Sequence, residues 1–312
     1  MILLFIIAGG AVVLMAAGLV DLTGERFHPA HRARLIVGLL LTGLLAMEAG
    51  LVLWSVPVML DLLGFTDLAH VCRRILGGPV PGGTAGGVTA FVGAAWVAGA
   101  IMFGWGRIMR TQRNLRVETA LGRGEKGDGY DLHTLSSSRR MAYTVGGRRP
   151  QIVVTTGLLE QVSPAVIEVI LAHERVHARS RHHRFLAVAG GIHAALGWLA
   201  PVGRAVGSLR LSLERWADED ASRSSPQGRD EVKHALLSAC LAGVPGAAGF
   251  GEPEMVAARI SALDEPAPSQ FSAMLASVYV GFGGVTLSCL AVVAWAAQTS
   301  ILTLVHPGQC VT

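Results

Sequence analysis

Charge is what this 312-residue chain is short of: only 15% of its residues are Asp, Glu, Lys or Arg, against about 25% in an ordinary soluble domain. With 51% apolar residues and a mean hydropathy of +0.49, the shortage argues against a freely soluble cytosolic enzyme. It also excludes a disordered chain, because ample apolar surface is available for burial. Cysteine is scarce as well. The four present, Cys72, Cys240, Cys289 and Cys310, are too few and too scattered for a disulfide scaffold or a cysteine zinc site. Lysine is nearly missing, with Lys126 and Lys233 set against a background of arginine. The net charge of +4 is spread along the chain with no accompanying aromatic stacking pattern, so direct nucleic-acid binding is not expected.

What the chain has instead is long apolar runs. Residues 2–20 carry no charge, residues 35–60 are interrupted only by Glu48, and residues 84–106 are rich in Gly and Ala. A fourth run covers 271–297. Each approaches or exceeds the roughly 20 residues needed to cross a bilayer, and the N-terminus lacks the basic region of a cleavable signal peptide. Arg107, Arg110, Arg113 and Arg116 follow the third run, and Arg26, Arg32 and Arg34 lie between the first two. Basic residues mark the cytoplasmic side, so the expected topology has the N-terminus and the tail outside and residues 107–270 inside. Arg73 and Arg74, on the outer loop, dissent from it. The domains expected are therefore three transmembrane helices over 1–110, a cytosolic domain over 111–270, and a fourth span with a short extracytoplasmic tail over 271–312.

This topology puts Cys72 and Cys310 on one oxidising side, making them a candidate disulfide. Glu48, mid-span, is either a functional carboxylate or an acid hydrogen-bonded between packed helices.

The chemistry lies between the third and fourth runs. Residues 111–150 read as a linker with short irregular strands, and 151–155 (QIVVT) as a short strand. Ser163-Pro164 then opens a helix containing HERVH, that is His173, Glu174 and His177. Positions i and i+4 share a helix face, so both imidazoles can reach one zinc ion. Glu174 lies beside the pair, free to take a proton from the attacking water. Downstream, ERWADEDA at 214–221 supplies Glu214, a carboxylate able to complete a three-ligand site. One turn on, Asp218 can hold a ligand histidine by its other ring nitrogen. The run 185–202 is apolar enough to span, but crossing would put Glu214 and His173 on opposite sides. It is expected to be a buried helix or a membrane-dipping hairpin, with His193 a core histidine and His182 and His183 solvated or facing headgroups. Arg223 and His182 are weak candidates for stabilising an oxyanion.

Four spans with an HExxH domain between the third and fourth resemble the BlaR/MecR-type membrane metallopeptidases. PQIVVTTGLLEQVSPAVIEVILAHERVH followed by ERWAD is also similar to the related HtpX-type zinc peptidases. The resemblance implies a mainly α fold: a four-span transmembrane helix bundle with an inserted cytosolic gluzincin peptidase domain carrying a small β element. It implies one Zn2+ per chain on His173, His177 and Glu214, with Glu174 as general base and Asp218 as support. The function implied is a membrane-embedded zinc endopeptidase of a bacterial plasma membrane, cleaving a cytosolic transcriptional repressor or similar protein. A homodimer is compatible with this. Relatives that sense β-lactams carry a penicillin-binding domain after the last span, and the short tail here gives no expectation of one. The alternatives are an HtpX-like quality-control protease and a non-catalytic membrane signalling protein. A transporter would have only Glu48 in its favour.

Overall fold

The computed structural model describes residues 2–20, 28–76, 78–119, 123–224, 228–241 and 253–268. The run 271–297, Cys289 and Cys310 lie outside the described residues, and with them the Cys72–Cys310 pairing.

The chain opens with four helices: α1 (Ile2–Ala17), α2 (Pro29–Leu62), α3 (Thr66–Ile75) and α4 (Gly83–Thr119). The start of α2 is set by His28, whose ring accepts the Ala30 N–H, and by Pro29 in the first turn, where a proline costs no hydrogen bond. α1 lies close against α2 because glycine lines the contact. A methyl group on Gly43 would sit 2.7 Å from the Leu14 side chain and 2.8 Å from the Gly10 carbonyl oxygen, the kind of approach small residues permit between membrane helices. α2 and α4 are long and apolar enough to cross a membrane, which suggests membrane association. α1 is shorter, 16 residues, or about 24 Å at 1.5 Å per residue. On α3, Arg73 pairs with Asp61 at the end of α2, so one of the two dissenting arginines has its charge matched by a neighbouring carboxylate.

α4 continues past its apolar part to Thr119 as a single helix, so the boundary expected at 110/111 falls inside an element. Its far end is tied to the sheet. Arg116 donates to the Gly146 carbonyl oxygen at 2.9 Å, and the Gly146 N–H donates to Gln112 at 2.8 Å. The segment read as linker with irregular strands is ordered instead, into β1 (Arg123–Lys126), β2 (Asp131–Leu135) and β3 (Ala142–Val145), joined by β4 (Gln151–Thr155). The sheet order is β1-β2-β4-β3, with β2 parallel to β4 and the other pairs antiparallel. The turn between β1 and β2 needs Gly129, at φ +80, a conformation glycine adopts freely. The polar, half-exposed strands β1 and β2 lack the apolar alternation by which strands are recognised.

Beyond the sheet come α5 (Thr156–Gln161), α6 (Pro164–Arg179), α7 (His182–Leu196), α8 (Ala200–Ser224), α9 (Arg229–Leu241) and α10 (Pro253–Asp264). The apolar run 185–202 forms α7, the turn after it and the first residues of α8. This helical hairpin packs on α1, α2 and α4: Ile36, Leu40, Ile192, Leu209 and Leu213 share one core. A second core lies between the sheet and α6, around Ile152, Leu158 and Ile167. A third joins α6, α8, α9 and α10 through Val166, Val169, Ala221, Val232 and Leu263.

Candidate metal centre and active site

Three faces of α6 have separate tasks. Ser163 caps its first turn, accepting the Val166 N–H at 3.5 Å, with Pro164 next in line. Ile167 and Leu171 bury against the sheet, and Val166 and Val169 bury towards α9 and α10. The remaining face presents His173 and His177 to α8, where Glu214 and Asp218 stand one turn apart.

The two imidazole Nε2 atoms approach to 3.0 Å. Glu214 brings Oε2 to 3.4 Å from His173 Nε2 and Oε1 to 3.6 Å from His177 Nε2. Three donors held about 2.0–2.1 Å from one tetrahedral ion would be spaced roughly 3.3 Å apart, so the cluster has the dimensions of a zinc site. Among the described residues it is the one grouping of His, Cys, Asp or Glu able to hold a metal ion. The field agrees with the geometry. Burial disfavours a charged His173, but its bonds with Asp218 and Glu214 outweigh that and lift the ring from 6.5 to about 9. Surroundings that favour a proton at this point favour any cation there. His177, by contrast, is lowered by burial, against the pull of Glu214, and a lowered ring gives up its proton to an ion more readily.

Asp218 holds the back of His173, with Oδ1 2.9 Å from Nδ1. That contact orients the ring so that Nε2 faces the cluster. Asp218 is itself held by Arg259 of α10, which donates from Nε to Oδ2 at 2.7 Å and from Nη2 to Oδ1 at 2.6 Å. Arg259 Nη1 also lies 3.2 Å from Glu214 Oε2. Burial would raise the Asp218 carboxyl, but Arg259 and His173 bring it down to about 2. Glu214 is likewise pulled below its ordinary value, against burial, chiefly by His177 and then by His173 and Arg259. Two buried carboxylates and one buried guanidinium thus form a single network. The sequence reading passed over Arg259, which sits on a helix 41 positions beyond Asp218.

Glu174 is not one of the three donors but lines a cleft together with His173. Its Oε2 accepts from the Thr144 hydroxyl of β3 at 2.6 Å. The cleft, of about 50 Å³, is walled by Ala142, Val169, Ile170, Leu236 and Ala239, with Asp218 and Arg259 also lining it. Thr144 was also missed; a threonine in a short strand gives no sequence signal of its own.

His182 departs most from expectation. It is not solvated but 1% exposed, its Nδ1 2.8 Å from His177 Nδ1, its ring 4.6 Å from that of Trp216. The corner that brings it there is Arg181, in the left-handed region at φ 54, a conformation that costs a non-glycine residue energy and recurs at functional sites. Burial and the neighbouring His177 lower His182 to about 2. It is therefore a neutral ring that can accept a hydrogen bond from His177 Nδ1–H and leave the lone pair of His177 Nε2 free for an ion. His183 is half-buried with its Nδ1 enclosed and unpartnered. His193 is exposed rather than a core residue, because the buried face of α7 is taken by Ala189, Ile192 and Leu196. Arg223 is engaged by Asp220 and lies 2.8 Å from His28 Nε2, so it does not serve the donor cluster. Glu48 lies between α2 and α4, with Oε1 enclosed and without a hydrogen-bond partner.

Two histidines one helical turn apart, a carboxylate from a second helix and an unligated glutamate beside them define the class of metal-dependent peptidases. Residues 110–214, about a third of the chain, match the model of Peptidase family M48. The match starts on the far end of α4 and runs to Glu214 itself, and it supports a metallopeptidase. No curated protein and no solved structure matches the chain.

Proposed function

We propose that this chain is a membrane-bound zinc endopeptidase in which His173, His177 and Glu214 hold one Zn2+ and Glu174 is the general base. The observation that carries this reading is the meeting of three donor atoms from α6 and α8, all within 4.8 Å of one another, with Glu174 at their edge. When bound, the ion polarises the peptide carbonyl and makes water a stronger acid. Glu174 takes the proton of the attacking water and returns it to the departing amine. Thr144 keeps that carboxylate turned into the cleft, Asp218 fixes the ring of His173, and Arg259 neutralises the pair of acids behind the site.

The biological role we propose is regulatory proteolysis at a bacterial plasma membrane, with the site facing the cytosol and a repressor or similar cytosolic protein as substrate. Its support is the resemblance to BlaR/MecR-type proteins and the position of HERVH after three apolar helices. The test is proteolysis and zinc content of the protein in lipid vesicles, for the wild type and for Glu174→Gln. The variant is expected to keep its zinc and lose at least 10²-fold in rate. Undiminished rate in Glu174→Gln rejects the mechanism.

A further inference from the structure

The turn joining α7 to α8 carries Trp198 with 78% of its surface exposed. It lies in residues 185–203, a stretch without Asp, Glu, Lys or Arg. The only polar group of that side chain is already used: the indole N–H donates to the Ala195 carbonyl oxygen at 3.2 Å. The turn's backbone also makes bonds of its own. Gly197 N–H donates to His193 at 2.8 Å, Leu199 to Leu196 at 3.0 Å, Val202 and Gly203 to Leu199 at 2.9 and 3.1 Å. Each such bond lowers the cost of standing in hydrocarbon, where backbone groups must be satisfied internally.

Its depth can be read from its neighbours. α4 leads towards the metal-binding cluster, since Arg116 near its end grips Gly146 of the sheet. α7 leads away from the cluster, since it begins at His182. The two helices touch through glycine: a methyl group on Gly104 would lie 2.7 Å from Ala194 and 3.4 Å from Gly191, and one on Gly190 would lie 2.6 Å from Ile108. Gly104 is therefore level with residues 191–194 of α7, and the apolar part of α4 ends soon after it, at Arg107. At 1.5 Å per residue, the tip lies about 9 Å deeper in the bilayer than that level. α2 gives a second marker. Arg32, just before its apolar stretch, donates to the Ser208 hydroxyl at 3.0 Å, and Ser208 is roughly 12 Å along α8 from the tip. The first charge on the way back up is Arg204, exposed and long enough to reach headgroups from below. On the inner side the turn abuts the end of α1, where a methyl group on Gly18 would lie 2.6 Å from the Pro201 carbonyl oxygen.

We infer that the α7–α8 turn is a re-entrant hairpin, its tip at Trp198 submerged among the acyl chains of the leaflet nearest the metal-binding cluster. The partner of this surface is lipid. The inference rests on the reading of α2 and α4 as membrane spans, and it goes beyond that reading, because neither end of the hairpin crosses the bilayer. It holds His182, at the opposite end of α7, about 10 Å above the level of Arg107.

The test places an environment-sensitive nitrobenzoxadiazole probe on Trp198→Cys in the full chain reconstituted in phosphatidylcholine vesicles, with Cys72, Cys240, Cys289 and Cys310 replaced by Ser. Companion probes on Trp96→Cys, halfway along α4, and on Glu160→Cys, exposed on α5, report the bilayer and the aqueous phase. Expected at position 198 is quenching by lipids spin-labelled high on the acyl chain, several-fold stronger than by lipids labelled near the chain end. Aqueous iodide is expected to leave it nearly untouched. A probe at 198 quenched by iodide like the one at 160, while the one at 96 is lipid-quenched, overturns the hairpin and leaves the spans standing. If 96 and 198 are both quenched by iodide, the spans fail and the hairpin with them.

Discussion

Arg259 lays the Nε–Nη2 edge of its guanidinium on the two carboxylate oxygens of Asp218, a residue 41 positions earlier in the chain. The pair is almost fully buried, at 3% and 2% side-chain exposure, and it stands directly behind His173. Removing one partner leaves an unmatched buried charge, at a cost of about 3–5 kcal/mol. Arg259→Gln is therefore expected to lower the melting temperature sharply and to weaken zinc binding, because both Asp218 and Glu214 lose their counter-charge. Asp218→Asn keeps the shape but offers His173 a poorer acceptor, with an expected loss of about 10–100-fold in zinc affinity. Calorimetry together with zinc competition against a chelator checks both; unchanged zinc affinity in Asp218→Asn contradicts the positioning role.

His182 acts on the cluster only through His177. His182→Phe keeps the packing against Trp216 and Phe185 but removes the acceptor at His177 Nδ1, and about a 10–100-fold drop in zinc affinity is expected. His182→Gln restores an acceptor and is expected to recover much of the loss, which a purely space-filling role for the ring would not produce. The comparison to make is zinc affinity at matched melting temperature.

Thr144 bears on the base and not on the ion. Thr144→Val leaves Glu174 without its hydroxyl donor, and a hydrogen bond to a charged group contributes about 1.5–3 kcal/mol. A fall of roughly ten-fold or more in kcat is expected, with KM and zinc content nearly constant and activity restored in Thr144→Ser. A loss of zinc in Thr144→Val would show that the strand supports the cluster instead.

Removing the ion should also cost stability. The ion would tie α6 to α8 through His173, His177 and Glu214. A ligand that binds only the folded form stabilises it by about 2.7 kcal/mol at a hundred times its Kd. A chelator is expected to lower the melting temperature by several degrees, and added zinc to restore it; a melting curve indifferent to chelator contradicts a resident ion.

How far the site could be read from the sequence follows from the range of each signal. His173, Glu174 and His177 are local, set by helical period alone, and Glu214 and Asp218 repeat that period on a second helix; the structure brings all five together. Arg259 and Thr144 reach the site only through the fold, one from a late helix and one from an edge strand, so no spacing rule points to them. His182 was misread because a histidine beside arginines looks solvated, and only the left-handed corner at Arg181 turns it inward. Residues 111–150 read only as a linker with short irregular strands, and their order in one sheet is not legible because the pairing is between distant segments, with β2 lying parallel to β4. The helical hairpin, in contrast, followed from a constraint of topology: if 185–202 crossed the membrane, α6 and α8 could not share an ion.

The most direct measurement is X-ray absorption at the zinc edge on the purified, vesicle-embedded protein, with metal analysis of the Glu214→Ala variant alongside. The account requires one zinc per chain with two imidazoles and oxygen around it, no sulfur, and a marked loss of zinc in the variant. Sulfur in the coordination sphere, or full zinc content without the Glu214 carboxylate, contradicts it.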